Sequence, residues 1–360
     1  MTDIWTPIEV GNMRLSHRLA MAPMTRSRAM PDGTPGDLAA TYYAQRAEMG
    51  LLITEGTQPS EDGQGYPWTP GIFTEAHVEG WRKVADTVHD RRAHLVIQLM
   101  HVGRIAHPDN TPHHRQPVAP SPVAPADQMF TAAGMQPIPE PRALTEAEVE
   151  ATVADFVHAA TRAVEAGADA VEIHGANGYL IQQFLAPNAN LRTDTWGGSI
   201  ENRARFAIEV TRAVAAAIGP ERTGIRLSPG TTLGGIEEGP EAPALYAHLV
   251  TELDRLGLAY LHLLHLADED MLAQIRGDWS GTLIVNRAGG PRERIGGDVA
   301  TGRADLESYG QMVLANPDFV ERIRTGAPLN VPRNEHFYGG GADGYTDYPA
   351  LADQPAETAE

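Results

Sequence analysis

Cysteine is missing from the 360 residues, and lysine nearly so: of 28 basic residues only Lys83 is a lysine. Without cysteine there can be no disulfide, no thiolate nucleophile and no cysteine-ligated zinc or iron–sulfur centre. The basic residues face 47 acidic ones, for a formal net charge of −19. A field of that sign repels nucleic acid and anionic lipid unless a basic patch overrides it locally, and the sequence holds no such patch. No apolar run is long enough to span a bilayer. The opening MTDIWTPIEV lacks both the basic and the apolar stretch of a secretory signal. The chain therefore reads as cytoplasmic, with no nucleic-acid or membrane partner. Its 42% hydrophobic content suits a large buried core.

What is present is rhythmic. Short apolar runs occur at Leu19–Thr25, Leu51–Thr57, Leu95–Met100, Ala170–Gly175, Thr223–Pro229, Tyr260–His265, Thr282–Arg287 and Asp305–Gly310, most followed by a helix-like segment. Strands alternating with helices make parallel βαβ units, and eight of them predict a closed (β/α)8 TIM barrel, one domain over residues 1–360. Thr145 with Glu148 spells a capping box for a helix ending near Gly167, and Ser199 with Gly219 brackets another. Glu75–Arg91 and Pro240–Leu256 are periodic with weaker caps. Two stretches break the rhythm. Residues 103–144 carry nine prolines, and their tract QPVAPSPVAPADQ cannot be a helix; a structureless excursion here is either a passive detour over the barrel wall or a lid, and its departure from the C-terminal end of the third strand favours a lid over the barrel mouth. The tail after Val331, with FYGGGADGYTDYP, reads as an ordered, turn-rich segment.

In a barrel the active site is built where strands end. The residues there are Thr25, Gly56, Gln98, His174 and Arg226, then the turns NRAGG (Asn286–Gly290) and YGQ (Tyr309–Gln311). Glycine turns after strands seven and eight either bind phosphate through backbone N–H groups or merely turn the chain. The sharpest cluster is HGANGYLIQQFLAP (His174–Pro187). If the chain enters a helix there, His174 and Asn177 share a face and can hold one acceptor oxygen, with Tyr179 as a proton donor. A lone histidine at a strand end is more often a satisfied core residue, but the company of Asn177 and Tyr179 argues against that. Arg226 lies in an apolar strand and needs an electron-rich neighbour, either Glu172 or the acceptor atoms of a cofactor. His107, His113 and His114 form no metal-ligand spacing, and no metal site is expected. Neither a dinucleotide fingerprint set between a strand and a helix, nor a P-loop, nor a Gly-x-Ser-x-Gly elbow is read.

Several of these segments together resemble the Old Yellow Enzyme family of FMN-dependent ene-reductases: APMTRSR (Ala22–Arg28), QLMHVGR (Gln98–Arg104), HGANGYLIQQFLAPNANLRTDTWGGSIENRARF (His174–Phe206), GIRLSP, LANPDF and YGGGADGYTDYP. The resemblance runs along nearly the whole chain. It implies a TIM barrel with non-covalent FMN at the mouth and NAD(P)H as co-substrate. It further implies reduction of electron-poor alkenes such as enones, maleimides and nitroalkenes by ping-pong hydride transfer. Carried over, Pro23, Met24, Thr25, Gly56, Gln98 and Arg226 would contact the flavin, and Ala288, Gly289, Gly310 and Gln311 its phosphate end. His174 and Asn177 would hold the substrate carbonyl, Tyr179 would give the proton, and Tyr66, Met100 and Tyr338 would line the pocket. The chain departs from the family at Gln311, where an arginine usually meets the phosphate. That leaves Arg287 or Arg292 to supply the charge, or a weaker hold on FMN. Met100 stands where tryptophan is common. Two other readings stay open, an FMN enzyme fed by a reduced deazaflavin and a non-catalytic flavin-binding barrel. Monomer and homodimer are both compatible with the sequence.

Overall fold

The structure, a computed structural model, describes residues 2–265 and 268–353. Residues 1, 266–267 and 354–360 of the expected 1–360 domain lie outside them. Among the described residues eight parallel strands close into a barrel. They are β1 (Leu19–Met21), β2 (Leu51–Ile53), β3 (His94–Leu99), β4 (Ala170–Gly175), β5 (Thr223–Leu227), β6 (Tyr260–His265), β7 (Leu283–Arg287) and β8 (Leu306–Tyr309). Seven of the eight apolar runs marked in the sequence contain one of them, and the run Leu95–Met100 overlaps β3, which starts one residue earlier at His94. Tyr309 pairs with Met21 to seal the ring, so the barrel itself has no edge strand.

Alternation along each strand sends one set of side chains into the barrel and the other toward the helices. The outward set, including Val171, Ile173, Ile225, Leu227, Leu261, Leu263, Leu283 and Val285, joins the main core against the surrounding helices. The inward set forms layers. At the bottom a hairpin, Ile8–Val10 with Met13–Leu15, floors the barrel. Its Val10, Met13 and Leu15 pack with Ala20, Leu51, Val96, Tyr260, Ile284 and Leu306. Tyr260 fills the space beside Gly224, where any Cβ would lie 2.4 Å from its ring. Above this apolar floor the inward residues turn polar: Gln98, Glu172, His262 and Ser308, then His174, Arg226 and Asn286. The polarity gradient aims the chemistry at the C-terminal mouth.

The helices begin where the caps predict. Thr145 and Glu148 make a reciprocal capping box at the start of the helix Glu146–Glu165, and Ser199 caps Ile200–Ile218.

The proline-rich excursion is not structureless. Val118–Ala119 pairs with Arg142–Ala143 at its base, and Gln128–Thr131 forms a hairpin with Gly134–Pro137. The hairpin escaped the sequence reading because its two-residue turn is Ala132-Ala133, not the usual Asn-Gly or Asp-Gly; Gly134, at φ +95°, supplies the positive dihedral. The tail is tied to the strand-one loop. Arg26 donates to the carbonyls of Phe337 and Gly344, at 3.0 and 2.7 Å. Tyr345 is fully buried and stacks on Tyr42 at 4.4 Å between ring centroids.

Candidate active site

The mouth holds three connected cavities. The innermost, of about 270 Å³, is lined by Pro23, Met24, Thr25, Gly56, Gln98, Met100, His174, Asn177, Tyr179, Arg226, Gln311 and Tyr338, with Leu314 and Phe337. A second, of about 490 Å³, shares Pro23, Met24, Arg226 and Gln311 and runs to Ala288, Gly289 and Gly310. A third, of about 540 Å³, shares Thr25, Asn177, Tyr179 and Tyr338 and opens outward past Tyr66. The residues that the resemblance assigns to flavin, substrate and proton transfer all line one or more of these overlapping cavities. Met100 reaches it because residue 56 is glycine: a Cβ there would lie 2.3 Å from the Met100 sulfur.

His174 ends β4 and is 3% exposed. Burial, with Arg226 and His262 nearby, holds its imidazole well below the ordinary pKa, so the ring is neutral. Its Nδ1 accepts from the Ala176 N–H at 3.3 Å. In a neutral ring the proton then sits on Nε2, which is a donor.

His174 and Asn177 do not share a helix face. The helix Leu180–Leu185 starts only after Tyr179, and Asn177 itself has φ +58°. A tight turn brings them together instead. The Asn177 N–H donates to Ser228 Oγ at 2.9 Å, and the Gly178 N–H donates to Gln182 Oε1 at 2.8 Å. Gln182 in turn donates to Glu238, at 2.8 Å. Glu238 also accepts from the Gly230 N–H at 2.9 Å, so one carboxylate clamps the loops after β4 and β5. A left-handed asparagine is costly and persists only where the surroundings over-determine it. Its side-chain oxygen is buried without a protein partner.

Tyr179 packs edge-on to His174, with centroids 5.0 Å apart, and its hydroxyl lies 3.2 Å from that of Tyr66. Burial, then Tyr66 and Tyr338, push its pKa well above the ordinary tyrosine value. The phenol keeps its proton.

Beneath the cavity runs a polar chain the sequence reading missed. Gln98 donates to Glu172 at 2.7 Å. His262 bridges Glu172 and Ser308, each at 2.8 Å. Burial would raise the Glu172 pKa, but His262, Arg226 and Gln98 together bring it below the usual carboxylate value. Burial also lowers the His262 pKa against the pull of Glu172; a neutral His262 donating to an ionised Glu172 satisfies both. Arg226 sits beside His174 and His262 in strand register and bonds Asn286 at 3.3 Å. Of the two neighbours the sequence left open for Arg226, the structure supplies Glu172. Glu172 balances its charge from below, while its Nε stays buried with no protein partner. The alternation of His262 with Tyr260, not its spacing from His265, was the signal to read.

Arg287 and Arg292 do not stand in for the arginine missing at Gln311. Arg287 is held between Asp298 and Glu269, at 2.5 and 2.6 Å, and Arg292 donates to the carbonyls of Ala327 and Arg322. The spacing Gly339-x-Gly341-x-x-Gly344 matches the dinucleotide pattern in letters alone, for these residues lie in turns and bends, not between a strand and a helix. Among the described residues no group of three or more His, Asp or Glu could hold a metal, and no helix is long and apolar enough to cross a membrane.

Comparison with known proteins places relatives beside this geometry. Residues 3–330 match the NADH:flavin oxidoreductase / NADH oxidase family. The chain is 41% identical to 12-oxophytodienoate reductase 2 of Arabidopsis thaliana, over 96% of this chain and 95% of that one. Morphinone reductase in complex with tetrahydroNAD superposes with a TM-score of 0.93 at 44% identity, over 98% of each chain. The Old Yellow Enzyme homologue of Zymomonas mobilis superposes at 0.94 and 36% identity, covering 97% of this chain and all of that one.

Proposed function

The chain belongs to the NADH:flavin oxidoreductase / NADH oxidase family and is an FMN-dependent, NAD(P)H-consuming oxidoreductase of the Old Yellow Enzyme type; from that premise we propose that it reduces electron-poor alkenes, enones foremost. One observation carries the proposal. An Nε2–H donor on His174, Asn177 and the protonated hydroxyl of Tyr179 line one cavity together with Thr25, Gln98 and Arg226.

The residues fit FMN. Arg226 lines the cavity and its buried Nε has no protein partner, and Gln98 and Thr25 add an amide and a hydroxyl. Ala288, Gly289, Gly310 and Gln311 bring main chain to the far end of the adjoining cavity. With no arginine free there, backbone N–H groups would carry the phosphate. When bound, FMN would supply the two-electron redox chemistry that links the nicotinamide donor to the alkene.

The chain's own residues do the rest. His174 Nε2–H and the Asn177 amide hold the substrate carbonyl oxygen, and both bonds strengthen as charge grows on it. Tyr179 places its hydroxyl proton at the α-carbon. Arg226, backed by Glu172, favours negative charge at the wall it faces. One cavity for donor and acceptor makes the kinetics ping-pong. Met100, Tyr66 and Tyr338 shape the substrate space. The 103–144 excursion acts as a cover within a single domain, its hairpin lying beside the outer cavity through Met129, Phe130 and Met135.

The test is anaerobic. NADH or NADPH should bleach the bound flavin, and 2-cyclohexenone should restore its colour with formation of cyclohexanone. Bleaching without reoxidation by any activated alkene would defeat the proposal.

A further inference from the structure

The outer cavity is larger than the inner one and differs from it in chemistry. Its walls include Trp68, Phe130, Met135, Leu233 and Tyr338, all large and all about half exposed or more. Isolated exposed apolar residues are ordinary, but a contiguous set around a cavity marks a binding surface. Phe130 and Met135 come from facing strands of the excursion's hairpin and are direct register partners. They stand on the solvent side of the hairpin while Met129 and Thr131 are buried beneath.

The charge in this space is of one sign. Asp127 is the single charged side chain among its lining residues. Its Oδ1 accepts from the adjacent Gln128 N–H at 2.7 Å, a local turn contact, and no arginine, lysine or histidine pairs with it among the described residues. Its negative field reaches the Tyr66 hydroxyl. Behind the wall Arg104 is buried, and its guanidinium donates to the carbonyls of Val123, Gly234 and Gly235. Aromatic faces beside an unpaired carboxylate attract cations and repel anions.

We infer that the outer cavity is a subsite for the part of the substrate remote from the reacting alkene, selecting apolar groups that are neutral or carry an ammonium and rejecting those that end in a carboxylate. The inference rests on the alkene-reductase reading above and extends it to substrate class. An enone held at His174 and Asn177 would direct its tail past Tyr179, which lines both the inner cavity and this chamber, and past Tyr66, which lines this chamber and meets Tyr179 hydroxyl to hydroxyl. An ammonium tail would meet Asp127 and the rings of Trp68 and Phe130; a carboxylate tail would meet the same Asp127 with the opposite sign.

The experiment compares three cyclohexenones whose tails of equal length end in methyl, trimethylammonium or carboxylate, with untailed 2-cyclohexenone as the reference. Binding to the FMN-loaded enzyme is read by calorimetry and turnover by kcat/KM. The ammonium compound should exceed the carboxylate by about tenfold or more at low salt, and the gap should shrink as salt rises. Asp127→Asn should close most of the gap and Asp127→Lys should reverse it. Both sit at an exposed turn where folding tolerates them. Equal affinity for the charged tails, or a gap that survives Asp127→Lys, would overturn the subsite. Failure to reduce even 2-cyclohexenone while the charge ordering in binding holds would instead defeat the alkene-reductase reading and leave the subsite standing.

Discussion

Tyr66 and Tyr179 meet hydroxyl to hydroxyl at 3.2 Å. Tyr179 belongs to the turn after β4 and Tyr66 to the loop after β2, so two distant parts of the chain share one proton-bearing contact at the junction of the inner and outer cavities. Tyr66 can orient the Tyr179 proton, but it lies on the outer side and does not line the inner cavity itself.

Tyr179→Phe should therefore slow alkene reduction and spare flavin reduction by the nicotinamide. General acid catalysis contributes ~10²–10⁴-fold, so a loss in that range is expected for enones. Nitroalkenes should suffer least, because their product anion is stable and can leave before solvent protonates it. Stopped-flow measurement of the two half-reactions separates the effects, and wild-type turnover of enones with unchanged stereochemistry would remove Tyr179 from this role.

His174→Ala should raise KM for enones and lower kcat together. Loss of one oxyanion donor costs ~10²–10³-fold in rate. Since His174 is neutral and donates from Nε2, the wild-type rate should show no histidine titration between pH 6 and 8. An enone pH profile with a limb near 6.5 that disappears in His174→Ala would contradict the neutral assignment.

Arg226→Ala should be costly twice. It removes one of the charges that help His262 keep the buried Glu172 ionised, so stability should fall. In protein that still folds and binds flavin, the midpoint potential should fall, because the reduced flavin is anionic and a charge-assisted bond is worth ~1.5–3 kcal/mol. Arg226→Ala with Glu172→Gln should recover stability and not the potential. Denaturant melts and redox titration read the two separately.

Glu55 supplies a pH dependence unrelated to catalysis. It is buried, its Oε2 accepting from the Arg26 N–H at 2.9 Å and the Ser27 N–H at 3.3 Å. Burial outweighs these bonds and raises its pKa from 4.5 to about 7. Between those values the folded state binds more protons than the unfolded one, so stability is present below pH 4.5 and is lost as pH rises to about 7. The whole span amounts to roughly 3 kcal/mol. Glu55→Gln retains an acceptor for both N–H groups and should flatten this fall; urea midpoints across pH 5 to 8 would show it. An unaltered slope would mean that Glu55 is charged throughout.

The sequence by itself determined the barrel. Eight apolar runs of strand length, separated by helices with readable caps at Thr145 and Ser199, leave few ways to bury their hydrophobic faces, and closure follows from that local bookkeeping. It also named His174, Asn177, Tyr179 and Arg226, because ionisable and amide side chains at strand ends stand out against an apolar background. Tertiary structure alone decided how they work. Asn177 faces the site through a left-handed turn pinned by Ser228, 51 residues away, which no helical spacing encodes, while the next residue, Gly178, bonds to Gln182. Glu172 and His262 became one network only when β4 and β6 came to flank β5 in the barrel wall. Arg287 looked available for the phosphate until folding set Asp298 and Glu269 against it. A charge in a sequence has no partner until the chain folds, and it is the partner that decides whether the charge remains free to meet a ligand.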